Sequence, residues 1–343
     1  MRRIRESRLL GAGRYDALPQ VGGAEVEAAE QVELPANAAK LLQEAAPSQA
    51  VAPSPAVAPS LTSESLEQAA ESPKRRITPS TVVGAIILAA ILAFGLVGPL
   101  VYTVDPNVQS VYERVTAPGW EFPFGSDNYG RDVLARMMAG ARVSLFVGFA
   151  VVACSSILGF AIGLFSAWNR VLDYILMRIC DGLMSIPGFL LAIALMAMLG
   201  ASINNVVIAL TIVFTPSLAR IVRSRALVLM ESPFVDALKL QGASAMRILW
   251  LHIAPNVMGP FLVQAAFVFA EAILAEATLS FLGLGIAPPD ASWGNILQEG
   301  KALMSQAWWM VVIPAGFVVG TVLSLNLIGD GLRDMLDPKS MKV

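Results

Sequence analysis

The chain has 343 residues, of which 56% are hydrophobic and only 15% charged, and its mean hydropathy is +0.64. This composition lies outside the range of soluble globular domains. The formal net charge of −2 argues against a nucleic-acid partner. The cysteines Cys154 and Cys180 lie in or beside apolar runs, and the one histidine, His252, has no nearby ligand set. We therefore expect no disulfide framework, no metal site and no cofactor.

Residues 1–79 differ in composition from the rest of the chain. They are rich in Ala, Pro, Glu, Ser and Gln, and 46–60 reads APSQAVAPSPAVAPS, which is typical of an extended linker. Because they contain too few apolar residues to build a core, we predict a disordered tail. Lys74, Arg75 and Arg76 precede the first apolar run, and by the positive-inside rule they place this tail in the cytoplasm.

Six apolar runs predict an all-α polytopic membrane protein with six spanning helices and both termini in the cytoplasm. The third run is short, and it spans a bilayer only if its helix begins upstream, near Asp181 or Leu183. Arginines and lysines are concentrated in the loops that this count places inside, which supports the orientation. The runs lie at about 81–104, 143–168, 188–199, 206–221, 258–284 and 308–328.

The domain boundaries follow from these runs. We expect the tail at 1–79, a first transmembrane helix at 80–104, an extracytoplasmic segment at 105–142, a membrane core at 143–338 with a cytoplasmic loop at 223–256, and a C-terminal tail at 339–343. Two pairs of glycines four residues apart predict close packing of helices in lipid, either within the chain or against a second subunit. They are Gly159 with Gly163, and Gly316 with Gly320.

The extracytoplasmic segment contains several turn formers, followed by a short helix from Val133 whose apolar side is expected to lie along the outer membrane interface. Residues 124–132, FGSDNYGRD, resemble the Phe-Gly-(Thr/Ser)-Asp-x-x-Gly-Arg-Asp segment of dipeptide and oligopeptide permeases in ABC importers. The resemblance leaves two roles open, a structural cap over the helices or contact with the substrate or an extracytoplasmic binding protein. The residues concerned are Gly125, Asp127, Gly130, Arg131 and Asp132.

The stretch from Ser232 to Pro255 is a polar, helix-forming island between apolar runs. Ser232 predicts the start of a short amphipathic helix, and Gly242 its end in a left-handed cap. Ser244 predicts a second helix, which Pro255 terminates. Two short helices broken at a glycine suit the docking of a soluble partner. The second helix is predicted to have one apolar side, made by Met246, Leu249, Trp250 and Ile253.

This stretch resembles the EAA loop of permease subunits in binding-protein-dependent ABC importers, which reads Glu-Ala-Ala, three residues, Gly, nine residues and Ile-x-Leu-Pro. The chain has Asp236-Ala237-Leu238, then Gly242, then His252-Ile253-Ala254-Pro255. It departs from the pattern by Asp for Glu, Leu238 for the second Ala and Ala254 for the closing Leu. The resemblance implies coupling to partner ATPases through Pro233, Phe234, Val235, Asp236, Ala237, Leu238, Gly242, Ala243 and Ser244.

The fifth run contains two glutamates, Glu271 near its middle and Glu276 five residues on. A charged group at the centre of a bilayer costs about 2.5–3.5 kcal/mol on insertion scales, so each is expected to face the bundle interior or a wet cavity. Five residues place them about 140° apart around a helix. Glu276 precedes LSFLGLG at 279–285, as in the permeases that the chain resembles. We interpret Glu271, Glu276 and Ser280 as candidates for the translocation pathway, against the alternative of buried structural hydrogen bonds.

The following loop contains Pro288, Pro289, Trp293 and Gly294 in the order found in the same permease branch. A proline-bent loop on the outer face is expected to contact the binding protein.

The resemblance covers residues 80–338 and implies the second permease subunit of a dipeptide/oligopeptide importer with the type I fold. It implies a heterodimer with a homologous permease, two ATPases inside and a binding protein outside, in a bacterial inner membrane. ATP hydrolysis then belongs to the partners, and the chain has no catalytic residues of its own. Nickel, glutathione or another small solute is the alternative cargo. An intramembrane enzyme is a further alternative, against which stand the lack of a histidine pair and of a legible nucleophile–base pair.

Overall fold

The computed structural model describes residues 78–336, so the predicted tails, with Lys74, Arg75 and Arg76, lie outside the described residues. Within that range the regular elements are helices, and a single isolated β-bridge joins Ser126 to Asp132. The elements are α1 Pro79–Leu96, α2 Gly98–Val101, a 3-10 turn Val111–Glu113, α3 Val133–Trp168, α4 Arg170–Met184, α5 Gly188–Leu199, α6 Ile203–Met230, α7 Pro233–Leu240, α8 Ala245–Arg247, a π-helix Ile248–Ile253, α9 Ala254–Phe281, α10 Trp293–Lys301 and α11 Trp309–Leu336.

Five segments of the described chain are long and apolar enough to cross a membrane, and a bent pair of helices makes a sixth. The prediction of an all-α, six-helix membrane fold is therefore confirmed. The straight spans are Pro79–Val101, Val133–Trp168, Ile203–Met230, Ala245–Phe281 and Trp309–Leu336. α4 and α5 are the bent pair, which is long and apolar enough to be counted as one broken span.

The third predicted span is broken and not straight. α4 and α5 meet at 90°, and Pro187 stands immediately before α5. Proline has no N–H, and its ring disfavours a helical conformation for the residue before it, so α4 does not continue into α5. The condition under which the third run would span a bilayer as one helix is not met, because Asp181 and Leu183 lie in the last turns of α4 and α5 begins at Gly188.

The separate interfacial helix predicted from Val133 is also absent. α3 begins there and continues for 36 residues to Trp168. The side chain of Asp132 caps it, with Oδ1 accepting the N–H of Ala135 at 2.9 Å. Val133 and Met137 are fully buried within the chain, so these turns pack against other helices and do not lie on a membrane surface. The turn formers set the start of the helix, and no residue breaks it before Trp168.

α3 and α9 supply residues to all three apolar clusters of the chain. Val133 packs in the first cluster and Ala167 in the second, at opposite ends of α3. We call the end at Val133 the cap end and the end at Ala167 the loop end. The second cluster, which contains Ala167, is the loop-end cluster. Only 17–50% of each straight span's most apolar window is buried inside the chain, which leaves a large apolar surface for lipid or another subunit.

The two glycine pairs have different surroundings. A Cβ on Gly163 would lie 2.6 Å from the carbonyl oxygen of Ala219, and one on Gly159 would lie 2.7 Å from Cβ of Leu218. This pair therefore lets α3 and α6 approach closely within the chain, as predicted. A Cβ on Gly316 would meet nothing within 4 Å, and one on Gly320 would lie at an ordinary contact distance of 3.7 Å from Cδ1 of Ile91. The second pair is therefore not part of a tight helix contact inside the described residues.

This difference predicts opposite effects of the same substitution. Gly163→Ala is expected to destabilise the protein by about 1–3 kcal/mol, because the added methyl group overpacks the α3–α6 contact. Gly316→Ala is the matched control, since both changes replace a helical glycine. It is expected to preserve or slightly raise stability, because alanine is the better helix former. Thermal unfolding of both purified variants in detergent measures the difference, and equal stabilities would contradict the assigned packing.

Candidate functional site

The first helix of the predicted coupling loop, α7, ends as the sequence predicts. Gly242 has φ +80°. Its N–H donates to the carbonyl of Lys239 at 3.0 Å, and the N–H of Ala243 donates to the carbonyl of Leu238 at 3.0 Å. This pair of bonds is the Schellman motif, which requires a residue at ease with positive φ at the position of Gly242. Ser232 occupies the N-cap position, but its hydroxyl makes no capping bond and donates to the carbonyl of Leu229.

One residue anchors α7 to the membrane helices. Val235 is fully buried and packs in the loop-end cluster with Leu164 of α3, Val222 of α6 and Ile248 of the π-helix. Since the packed interior resists deformation, a displacement of α7 would be transmitted to these helices. Of the other predicted coupling residues, Leu238 and Ala243 are half-buried against the cluster, and the exposed ones are Pro233, Phe234, Asp236, Ala237, Gly242 and Ser244.

The loop presents an apolar outer surface that sequence reasoning only partly identified. Phe234 is 41% exposed, and Leu240, which was not predicted as a coupling residue, is 90% exposed. Met246 and Trp250 extend this surface at 53% and 45% exposure. We call these four residues the docking surface. Exposed apolar patches of this kind mark interaction sites. The signal for Leu240 was an apolar residue two positions before Gly242, about 140° around α7 from Val235.

The predicted end of the second helix at Pro255 is wrong. α8 continues through the π-helix into α9, and Pro255 lies in the first turn of α9. A π-helix bonds residues five apart, so the wider turn removes the α-helical bond that the proline nitrogen cannot make. The predicted apolar side is divided, because Leu249 and Ile253 are buried while Met246 and Trp250 are exposed.

At the cap end, four charged side chains form a buried network. Arg131 Nε bonds Asp127 Oδ2 at 2.6 Å, and its Nη2 bonds Glu299 Oε2 at 2.6 Å. Arg136 joins both carboxylates, with Nη2 at 3.2 Å from Glu299 and Nε at 3.7 Å from Asp127. All four side chains are at most 13% exposed. The network ties the segment before α3 to α3 itself and to α10.

This segment is a structural cap in the isolated chain. Gly125, Asp127, Gly130, Arg131 and Asp132, which were candidates for contact with a binding protein, are all buried. Of the two roles left open by the sequence, the structure favours the cap. Asp132 also accepts the phenol of Tyr102 at 2.5 Å. Burial, together with this hydrogen bond and the negative charge of Asp132, raises the pKa of Tyr102, so the phenol remains protonated as a donor.

The loop after α9 contains both buried residues, which pack at the cap end, and exposed residues. Trp293 is fully buried, and its Nε1 donates to the carbonyl of Met137 at 3.3 Å. A Cβ on Gly294 would lie 2.5 Å from the carbonyl oxygen of Ala277, so this position is also packed inside. In the isolated chain these two residues are therefore not available at the surface. Pro288 and Pro289 are exposed and stay candidates for contact.

The two glutamates of α9 point in different directions. Glu276 is fully buried and accepts Ser144 Oγ at 2.9 Å and Ser280 Oγ at 2.8 Å. The structure favours the alternative of a buried structural hydrogen bond for Glu276 and Ser280, since neither reaches a surface. Glu271 lies on the exposed surface of α9, about 140° away around the helix.

The sequence was compared with those of known proteins. The profile of the family described as binding-protein-dependent transport system inner membrane component matches residues 159–342. A putative peptide transport system permease protein of Brucella suis biovar 1 (strain 1330) is 48% identical over 257 residues, which cover 75% of this chain and 87% of the relative. A dipeptide transport system permease protein of Alkalihalophilus pseudofirmus is 40% identical over 259 residues, with 75% and 85% covered.

The structure was compared with solved structures. A chain of the MetNI methionine ABC transporter, in an inward-facing conformation, superposes with a TM-score of 0.50 at 17% identity. The match covers 59% of this chain and 96% of that one. At this identity the likeness concerns the fold alone.

The helical fold and its apolar spans define a polytopic membrane protein, and the family match and the relatives identify it as a transport permease. The chain belongs to the family of binding-protein-dependent transport system inner membrane components. The resemblance inferred from the residues at 124–132 and 232–255 is thereby confirmed.

Proposed function

We propose that this chain is a permease subunit of an ABC importer that moves di- and oligopeptides into the cytoplasm of a bacterium. The observation that carries the proposal is 48% identity over 257 residues to a protein named as a peptide transport system permease. The dipeptide permease relative supports the same cargo at 40% identity. No feature of the described residues favours nickel, glutathione or an intramembrane reaction over peptides.

The ATP chemistry belongs to two partner ATPases, which bind the cytoplasmic loops of the two permeases, and the docking surface is the contact that this chain provides. Phe234 and Leu240 provide apolar contact, and the exposed ion pair of Asp236 and Lys239 at 3.0 Å contributes little stability of its own. An ATPase that moves α7 shifts Val235 and, with it, the ends of α3 and α6. This contact converts ATP-driven closure of the ATPases into a rearrangement of the helices.

The remaining partners are a second, homologous permease and an extracytoplasmic binding protein. The exposed apolar faces of the spans provide area for the second permease as well as for lipid. Pro288 and Pro289 are available to the binding protein at the cap end. The loop end faces the cytoplasm, because its arginines and lysines satisfy the positive-inside rule. Both termini then lie on the cytoplasmic side of the bacterial inner membrane.

Reconstitution tests this proposal. The chain, its permease partner and both ATPases are placed in proteoliposomes, with the binding protein and a radiolabelled tripeptide outside and ATP within. We expect accumulation of the tripeptide that requires ATP and the binding protein. A transporter that accumulates a different solute but no peptide, or takes up peptide without ATP, would overturn the proposal.

A further inference from the structure

A polar stripe runs along one face of α9. Gln264, Glu271 and Thr278 follow one another at intervals of seven residues. Each interval is about 20° short of two full turns, so the three residues lie on the same face of the helix. At 1.5 Å per residue the stripe is about 21 Å long, which is most of the roughly 30 Å hydrocarbon thickness of a bilayer. Glu271 is exposed, and its two companions are half-buried. The stripe is therefore open along the surface of the isolated chain.

Contact with lipid is unfavourable for this face of α9. Glu271 lies ten residues before the end of α9 at Phe281, about 15 Å along the helix and so near the middle of the bilayer. Within residues 78–336 its carboxylate has neither a hydrogen bond nor an ion pair. Carboxylates at this depth face water or protein. Glu276, five residues on, is satisfied inside the protein by two serine donors, and no described residue provides such a donor to Glu271.

The loop end of the stripe opens into a cavity. Gln264 lines a space of about 580 Å³ between α6, α9 and α11, whose other polar lining residues are Ser224, Arg225 and Arg333. The rest of its lining is apolar or glycine: Ile221, Gly259, Pro260, Val263, Phe267 and Leu336. That volume holds several waters at roughly 30 Å³ each, and its walls offer them polar partners. A path along the stripe therefore runs from a carboxylate near the membrane centre to two guanidinium groups at the loop end. A peptide carries the complementary charges, an ammonium group and a carboxylate.

We propose that the polar stripe is a wall of the translocation pathway, and that the carboxylate of Glu271 binds ammonium groups of the passing peptide. This inference rests on the proposed function, since it assumes that the cargo is peptide. An ammonium–carboxylate hydrogen bond is about twice as strong as a neutral one, and the low dielectric near the bilayer centre strengthens it further. The site therefore favours peptides with an additional amino group over those with an additional carboxylate.

The test compares two tripeptides in the complete reconstituted transporter. Initial uptake of Ala-Lys-Ala and of Ala-Glu-Ala is measured for wild type, Glu271→Gln and Glu271→Asp. The binding protein's own preference is the same in all three and cancels when their rate ratios are compared. We expect Glu271→Gln to lower the Ala-Lys-Ala to Ala-Glu-Ala ratio about tenfold, and Glu271→Asp to keep it within about twofold. Glu121→Gln removes the same charge from an exposed position at the cap end and should leave the ratio unchanged.

The outcomes separate this inference from the proposed function. If wild type takes up neither tripeptide, the proposed function fails. If wild type takes up both and Glu271→Gln leaves the ratio unchanged, or slows both peptides equally, Glu271 has a structural or subunit-contact role and this inference alone is overturned.

Cysteine modification gives a second, independent measurement. In a transporter with Cys154 and Cys180 replaced by alanine, Glu271→Cys should react with a water-soluble thiol reagent during ATP turnover. Saturating Ala-Lys-Ala should slow that reaction. Val319→Cys, at a 64% exposed position on α11, should be inert. A Glu271→Cys transporter that never reacts, or reacts at a rate independent of peptide, contradicts a hydrated pathway at the stripe.

Discussion

Replacing Gly242 by arginine is expected to lower ATP-driven uptake at least tenfold while ATP hydrolysis continues and the protein stays in the membrane. A Cβ on Gly242 would meet nothing within 4 Å, so the added side chain projects away from the loop-end cluster. It stands beside α7, where an ATPase binds. The positive φ costs a non-glycine residue about 1–2 kcal/mol, which is too little to unfold the protein.

Gly200 is the matched control for this substitution. Its φ is +84°, and a Cβ there would also meet nothing within 4 Å. It lies between α5 and α6, away from α7. Gly200→Arg adds the same side chain, and because Gly200 also has ψ 162° it imposes at least as much backbone strain. It should leave uptake within about twofold of wild type. Normal uptake by Gly242→Arg would contradict the coupling role of the loop. An equal loss of uptake in both variants would show that backbone strain, and not the position in the loop, causes the effect.

Arg131→Ala is expected to destabilise the protein by about 3–5 kcal/mol. Arg131 bonds Asp127 and Glu299 at 2.6 Å each, and without its side chain the longer contacts to Arg136 are the only ion pairs left to the two carboxylates. Asp127 Oδ1 keeps the backbone N–H groups of Tyr129 and of residue 131 as donors. Breaking a buried pair is costly, because the remaining charge is neither paired nor hydrated. The free energy of unfolding of the purified chain in detergent measures this loss.

An exposed ion pair of equal length provides the comparison. Arg220 Nη2 lies 2.5 Å from Asp181 Oδ1, and the two side chains are 44% and 51% exposed. Exposed pairs contribute about 0–1 kcal/mol, so Arg220→Ala should have a small effect. Similar losses in the two variants would show that burial does not determine the strength of the cap network.

Local patterns explain what could be predicted from the sequence. Gly242 is followed by the second helix of the loop and preceded by an amphipathic run, and only a residue tolerant of positive φ completes the cap there. The apolar runs identified the spans because their length must match the bilayer. Residues 124–132 identified the family, and the burial of Gly125, Asp127, Gly130, Arg131 and Asp132, which favours the cap, could not be read from that pattern.

Non-local contacts explain what could not be predicted. Arg136 and Glu299 are 163 positions apart, and no spacing rule indicates that they meet. The continuation of α8 into α9 depends on a π-helix that accommodates Pro255, which propensity alone treats as a helix end. The different roles of Glu271 and Glu276 depend on which face of α9 packs against α3, where Ser144 supplies a donor.

Labelling of a cysteine in α7 tests the central claim, that the docking surface faces the cytoplasm. Ala237→Cys is exposed, and in a chain with Cys154 and Cys180 replaced it offers a single thiol on the loop. A membrane-impermeant maleimide should leave it unmodified in intact cells and modify it in inverted vesicles. Asp290→Cys, exposed at the cap end, should show the reverse. Modification of Ala237→Cys from outside intact cells would contradict the account.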